Sequence, residues 1–267
     1  MRGFITKGLM VLPLLLILGG CATVQPNSPV VGKDLDRVLE AFRLFVSQQG
    51  GCRSSLDVDL SISFDSMLAN GVVDGYLQTM APGLVKLIGV NPLGQPLFII
   101  VSDGDGFQSV FPAQGKSYEG RVGAASFQRY VPEGLDPALL FYWLIGRIPP
   151  GPLSIYGISH NPASKGVWID VVLGIEQTRR AHLQFDPGSG VLLGVLLGGE
   201  NHRDEQVIEY DDYGGGECRL PGRLKVYGSA YPAVFEVVFS KWRDDGVFHS
   251  SDFVITVPKG YTKMRVE

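Results

Sequence analysis

Histidine is scarce in this chain, and its placement excludes familiar metal chemistry. The four residues His160, His182, His202 and His249 are scattered, and none sits in the H-E-x-x-H spacing that holds zinc on a helix. No G-x-S-x-G elbow presents a nucleophilic serine; Gly188-Ser189-Gly190 lacks the flanking pattern and reads as a turn. No glycine-rich phosphate loop precedes a helix. Asp103 and Asp105 alternate as calcium ligands do, but a calcium loop needs a glutamate at its twelfth position, where Gln114 stands. A hairpin turn explains them better. Asp211, Asp212 and Glu217 flank Gly214-Gly215-Gly216 and read as a flexible acidic loop. Charged residues make up 19% of the chain with a net charge of −4, so no basic stripe points to nucleic acid. No internal repeat is evident. These absences leave neither a catalytic site nor a metal or cofactor site, and the chain is expected to be non-enzymatic.

The one long apolar run, Leu9 to Ile17, lies near the start, behind Arg2 and Lys7. It is too short to cross a bilayer, which takes about 20 residues. A basic start, a short apolar core and the small pair Gly19-Gly20 make a secretory signal peptide over residues 1–20. Leu18-Gly19-Gly20-Cys21 resembles a bacterial lipobox. That resemblance implies a diacylglyceryl thioether on Cys21, cleavage before it and acylation of the freed amine. Several acyl chains on one cysteine give durable attachment, where a single chain binds only marginally. Ala22, in place of the aspartate that commonly retains such proteins at the inner membrane, points to the periplasmic face of the outer membrane. Residues 21–33, with Pro26, Asn27, Ser28 and Pro29, read as a tether. Once Cys21 carries lipid, only Cys52 and Cys218 remain. An oxidising compartment permits a disulfide between them, and two buried free thiols satisfy the sequence equally.

The rest, residues 34–267, reads as one mainly β domain. Its 35 glycines and 17 prolines suit many strands and turns. Leu35, Val38, Leu39, Phe42, Phe45 and Val46 recur at steps of three and four, which predicts a helix ending at Gly50-Gly51. From Ser55 to Asp65 apolar and polar residues alternate strictly, which predicts a strand with one buried face. Further strands are expected over 72–79, 84–90, 97–102, 107–111, 167–174, 181–185, 191–197, 205–213, 223–227, 234–242 and 252–257. Turn formers such as Asn91-Pro92-Leu93-Gly94 and Asp186-Pro187-Gly188 join them as hairpins. Asp136-Pro137 opens a short apolar helix over 138–146, stopped by Pro149-Pro150-Gly151-Pro152.

Pro96 to Val101 and Val191 to Leu197 are apolar on both faces. Such strands need a second cover, a partner or a ligand. A thick core or a bound lipid under a helical lid would each supply it.

Three stretches resemble the outer-membrane lipoprotein receptor LolB, within the LolA-like lipoprotein carriers. Leu84-Val85-Lys86-Leu87-Ile88-Gly89-Val90 runs into the loop Asn91-Pro92-Leu93-Gly94. Leu140 to Pro149 is similar to that family's short Trp-x-Leu-Gly-x-Pro helix end, with slightly different spacing. Val207 to Tyr210, Leu220 to Val226 and Phe235 to Trp242 are similar to its closing strands. The resemblance implies an unclosed antiparallel β-barrel, here of about 11–12 strands covered by two or three helices, around a cavity for lipid acyl chains or lipoproteins. It implies that Leu93 protrudes and assists release of lipoprotein into the membrane. Strand parity puts Lys86 on the wet outer face and Val85 and Leu87 inward, with Phe107 and Phe111 inward on a neighbouring strand. Leu39, Phe42, Leu140, Trp143 and Leu144 are the lid candidates. Extra sequence between about Gly151 and Gly190, and a terminal strand over 252–257, depart from the family pattern. A non-enzymatic envelope scaffold using the same fold is the alternative reading.

Overall fold

The computed structural model describes residues 27–66, 70–122, 124, 136–174, 179–198, 206–216, 218–228, 231–243 and 247–266. The signal peptide, Cys21, His202, Glu217 and the Asp244–Gly246 turn lie outside the described residues.

Among the described residues, fifteen strands form a single sheet. The first seven are β1 (Ser28–Pro29), β2 (Ser55–Ser66), β3 (Asn70–Met80), β4 (Leu84–Val90), β5 (Pro96–Ser102), β6 (Gly106–Phe111) and β7 (Lys116–Arg121). Then come β8 (Leu153–His160), β9 (Val167–Leu173), β10 (Arg179–Asp186), β11 (Val191–Leu197), β12 (Gln206–Asp211), β13 (Arg223–Gly228), β14 (Tyr231–Arg243) and β15 (Thr262–Val266). Two meanders, β2 to β7 and β8 to β14, meet where β14 pairs with β2. Every ladder is antiparallel except that of β15 with β7. Two α-helices occur among the described residues, α1 (Lys33–Gln48) and α2 (Leu140–Leu144).

The strict alternation of β2 is realised: Leu56, Val58 and Leu60 are buried. Their face of the sheet, the inner face, carries the main core. Helix α1 lies on it through Val38 and Phe42, and the Phe42 ring meets Phe185 edge-on at 5.3 Å. Burial drives this seating, at about 1.5–3 kcal/mol for each large apolar side chain. A Cys52–Cys218 disulfide ties the end of α1 to the β12–β13 connection, with Cα atoms 5.6 Å apart.

The strands exceed the expected 11–12 because three are added, and a fourth departure moves the last strand. β1 begins within the expected tether; Ser28 pairs with His160, and the Val30 amide donates to the Ile158 carbonyl. β7 is polar and lacks an alternating apolar signal. β8 is part of the extra sequence after Gly151. The expected terminal strand over 252–257 is not one: Ser250–Phe253 is a 3-10 turn, and the strand lies further on, at Thr262–Val266. The second helix is also shorter than 138–146, because Pro137–Leu139 forms a 3-10 turn before α2.

Residues 247–261 cross the outer face of β4. Phe253 is buried there, and the Lys86 ammonium donates to the Asp252 carbonyl at 3.1 Å. The outer face at Lys86 is therefore partly covered, and Lys86 itself is half-buried. Val101 and Val110, on the outer face of β5 and β6, are buried as well. The chain's own C-terminal arm thus contributes the second cover that apolar β5 requires.

Candidate functional site

The ladders define two edges of the sheet. One carries the β2–β3, β4–β5 and β13–β14 connections; the other carries the β3–β4, β5–β6 and β12–β13 connections. The second edge is closed. Ala138 backs directly against Gly83 and Gly104, where an added Cβ would lie 2.9 Å from its Cα. Phe141 and Ile145 pack on Leu56, and the Tyr210 hydroxyl donates to the Trp143 carbonyl at 2.7 Å. The disulfide sits at this end too.

Towards the first edge the inner face stays apolar but loses its cover. Val237, Ile62 and Val73 are aligned across three strands, and all are half-buried. Phe235, beside Phe64 and Val226, is 40% exposed. Leu87 and Ile100 lie on the same face further from this edge, aligned with Leu77 and Val58. Two phenylalanines pair across strands with glycine, Phe64 with Gly71 and Phe98 with Gly89. Each ring lies over its glycine, where a Cβ would collide with it. Glycine there lets the rings lie flat, so the face is greasy yet shallow.

The β4–β5 loop stands at this edge, and its hydrogen bonds are nearly complete. The Asn91 side-chain oxygen accepts from the Leu93 and Gln95 amides at 3.0 and 2.9 Å. The Gly94 amide donates to the Asn91 carbonyl at 2.8 Å, and Gly94 takes φ +78°. Such a left-handed position favours glycine. The asparagine therefore does the work of a turn, and Leu93 is held out at 84% exposure. Exposed Leu97 follows it.

The other candidate residues divide. Phe42, Val85 and Trp143 are buried in the core. Leu87, Leu140 and Leu144 are half-buried against that core. Leu39 is half-buried on α1. Register puts Phe107 on the face of Val85, through Ser102, and Phe111 meets Tyr118 edge-on at 5.8 Å. A cleft of about 950 Å³ opens elsewhere, lined by Val101, Asp103, Phe107, Glu119, Phe253 and Arg265. In its wall the Asp103 carboxyl is held below its ordinary pKa by the amides of Gly106 and Asp105. Asp103 thus serves its own hairpin. Among the described residues no cluster of three or more His, Cys, Asp or Glu could hold a metal. His182 and Asp170 pair at 2.5 Å on the outer face.

Sequence reasoning missed Ile62, Phe64, Phe98 and Phe235 as mouth residues. The alternation that placed Leu56 to Phe64 on one face was the available signal.

No family model matches the chain, and no curated protein matches it. Solved structures do. A DUF1329 family protein from Desulfovibrio piger superposes with TM-score 0.56 at 10% identity, over 82% of this chain and 97% of that one. A putative outer membrane lipoprotein-sorting protein domain from Vibrio parahaemolyticus gives TM-score 0.54 at 8% identity, over 81% and 97%. The fold, an unclosed and mainly antiparallel barrel, is shared with these two structures. A LolA superfamily protein from Nitrosomonas europaea gives TM-score 0.49 at 12% identity, over 80% and 97%. At such identities the likeness concerns architecture alone.

Proposed function

We propose that this chain is a non-enzymatic, lipid-anchored protein of the outer membrane that binds acyl chains and helps to accept or insert lipoproteins, in the manner of LolB. The observation that carries the reading is Leu93. A large apolar side chain is held in water on a loop whose hydrogen bonds leave it little freedom. It stands at the edge where the inner face is apolar and least covered. Burial of a leucine in a lipid phase or in a lipoprotein's acyl chains is favourable by about 1.5–3 kcal/mol, and rigid presentation avoids an ordering cost. The apolar mouth beneath supplies a surface for hydrocarbon tails without covalent chemistry. A lipidated Cys21 would keep the molecule at the membrane.

Replacing Leu93 by Glu tests this reading. Transfer of a lipoprotein to acceptor vesicles is expected to fall at least about tenfold, the effect of losing about 1.4 kcal/mol. The thermal midpoint should stay near wild type, because the side chain makes no core contact. Equal transfer by both proteins would remove Leu93 from the mechanism. The scaffold alternative draws on the inner face beneath α1, where Val58, Ile169 and Leu183 are fully buried. Native mass spectrometry separates the two: co-purified acyl species support a carrier, and an empty barrel supports a scaffold.

A further inference from the structure

Gln206 opens β12 on the inner face, between Leu197 of β11 and Gly228 of β13. It is 1% exposed. Its side-chain nitrogen donates to the Tyr227 carbonyl at 2.7 Å and leans on the Val207 carbonyl at 3.4 Å. Those contacts fix the amide orientation, since the reverse would set oxygen against two carbonyls. The side-chain oxygen is then left without a hydrogen bond. Among the described residues it is the one buried side-chain polar atom in that condition. Leu197, Ala181, Ile208 and Val226, its neighbours on this face, have no side-chain donor to offer. Buried carbonyl oxygens are rarely left unpaired, because desolvation then goes uncompensated. The residue lies at the end of the sheet that carries the Leu93 loop, on a stretch of inner face where Leu197, Ala181 and Ile208 are buried as well.

We infer that Gln206 is a specificity determinant whose free oxygen accepts a hydrogen bond from the ligand. The ligand is therefore an acyl compound with a donor, a hydroxyl or an amide N–H, close to its apolar chain. This rests on the acyl-binding reading above and narrows it. A plain hydrocarbon tail would leave the oxygen unpaired, whereas a tail carrying a donor pairs it. Sites built to hydrogen-bond a ligand group discriminate against analogues that lack it.

The test uses the purified full chain in phosphatidylcholine vesicles, whose head group has no hydrogen-bond donor. Equilibrium binding is measured for three tritiated probes: myristate, 3-hydroxymyristate and N-myristoylglycine. At least one donor-bearing probe is expected to bind about tenfold more tightly than myristate, the effect of one good hydrogen bond. Gln206→Leu should bring that probe to the level of myristate and leave myristate itself unchanged. A preference for the hydroxyl probe would point to hydroxylated acyl chains, and one for the amide probe to N-acylated ligands. Equal binding of all three by wild type would overturn the inference while leaving acyl binding intact. Binding of none would overturn both. A preference that persists in folded Gln206→Leu would remove Gln206 from the role. Gln206→Met, closer in shape, serves the same comparison if the leucine variant fails to fold.

Discussion

At the scale of single residues, two tyrosines, Tyr210 buried and Tyr213 half-buried, hold the closed end together. The Tyr210 hydroxyl donates to the Trp143 carbonyl, and the Tyr213 hydroxyl donates to the Leu192 carbonyl at 2.6 Å. Burial pushes both phenols well above their ordinary pKa, so each remains a donor. Tyr210→Phe removes one hydroxyl and leaves the Trp143 carbonyl with the longer bond from the Gly146 amide at 3.4 Å. We expect a loss of about 1–3 kcal/mol, read as a lower urea midpoint with an unchanged slope. Gly146, at φ +63°, adjoins the Tyr213 hydroxyl so closely that a Cβ would collide with it. Leu93 was legible as what the resemblance to LolB implies, and the proline and glycine beside it suit a tight loop. Gln206 was not, because an unpaired oxygen is a property of the neighbourhood and leaves no trace in residue order.

Among the elements, strands with one apolar face announced themselves. β2 was expected over 55–65 and lies there, since burial of alternate residues is what defines it; β11, apolar on both faces, was expected over 191–197 and lies there too. β7 reads Lys-Ser-Tyr-Glu-Gly-Arg, and its place is set by the ladders with β6 and β15. The stretch 252–257 misled for a physical reason. Phe253 is buried and Val254 exposed, as in a strand, but the alternation comes from an arm lying across the sheet. Two predictions belong at this scale. Cys52 and Cys218 lie 166 residues apart, so serine at both positions should cost about 2–5 kcal/mol by releasing a long loop in the unfolded chain. Calorimetry of the double variant against wild type measures it. Gly89→Val should lift the Phe98 ring into the mouth, reducing acyl-probe binding several-fold. Cross-strand pairing should survive, so far-ultraviolet circular dichroism should stay close to wild type.

The whole molecule is an unclosed barrel, apolar within, shut at one end by helices and a disulfide. Its behaviour in alkali follows from its tyrosines. Tyr227 is pushed up to about 12, first by burial and then by its hydrogen bond to Glu209 and that carboxylate's charge. The folded state therefore keeps a proton that the unfolded chain releases from about pH 10. Stability contributed by this group is full below that point and falls as pH rises towards 12. Thermal midpoints should decline across this window, and Tyr227→Phe should make the decline shallower. An unchanged slope in that variant would assign the loss to other groups.

The seam between the two meanders has a consequence for biogenesis. β2 emerges early, yet its partner β14 is made some 165 residues later, and the two are then clamped by Arg243 on Asp57 and Asp59. Until that moment a finished half-sheet waits with a naked, hydrogen-bond-hungry border. Such borders invite pairing between strangers. During folding, this stretch of waiting would be the molecule's period of greatest vulnerability to clumping, and a chaperone shielding β2 would be most valuable then.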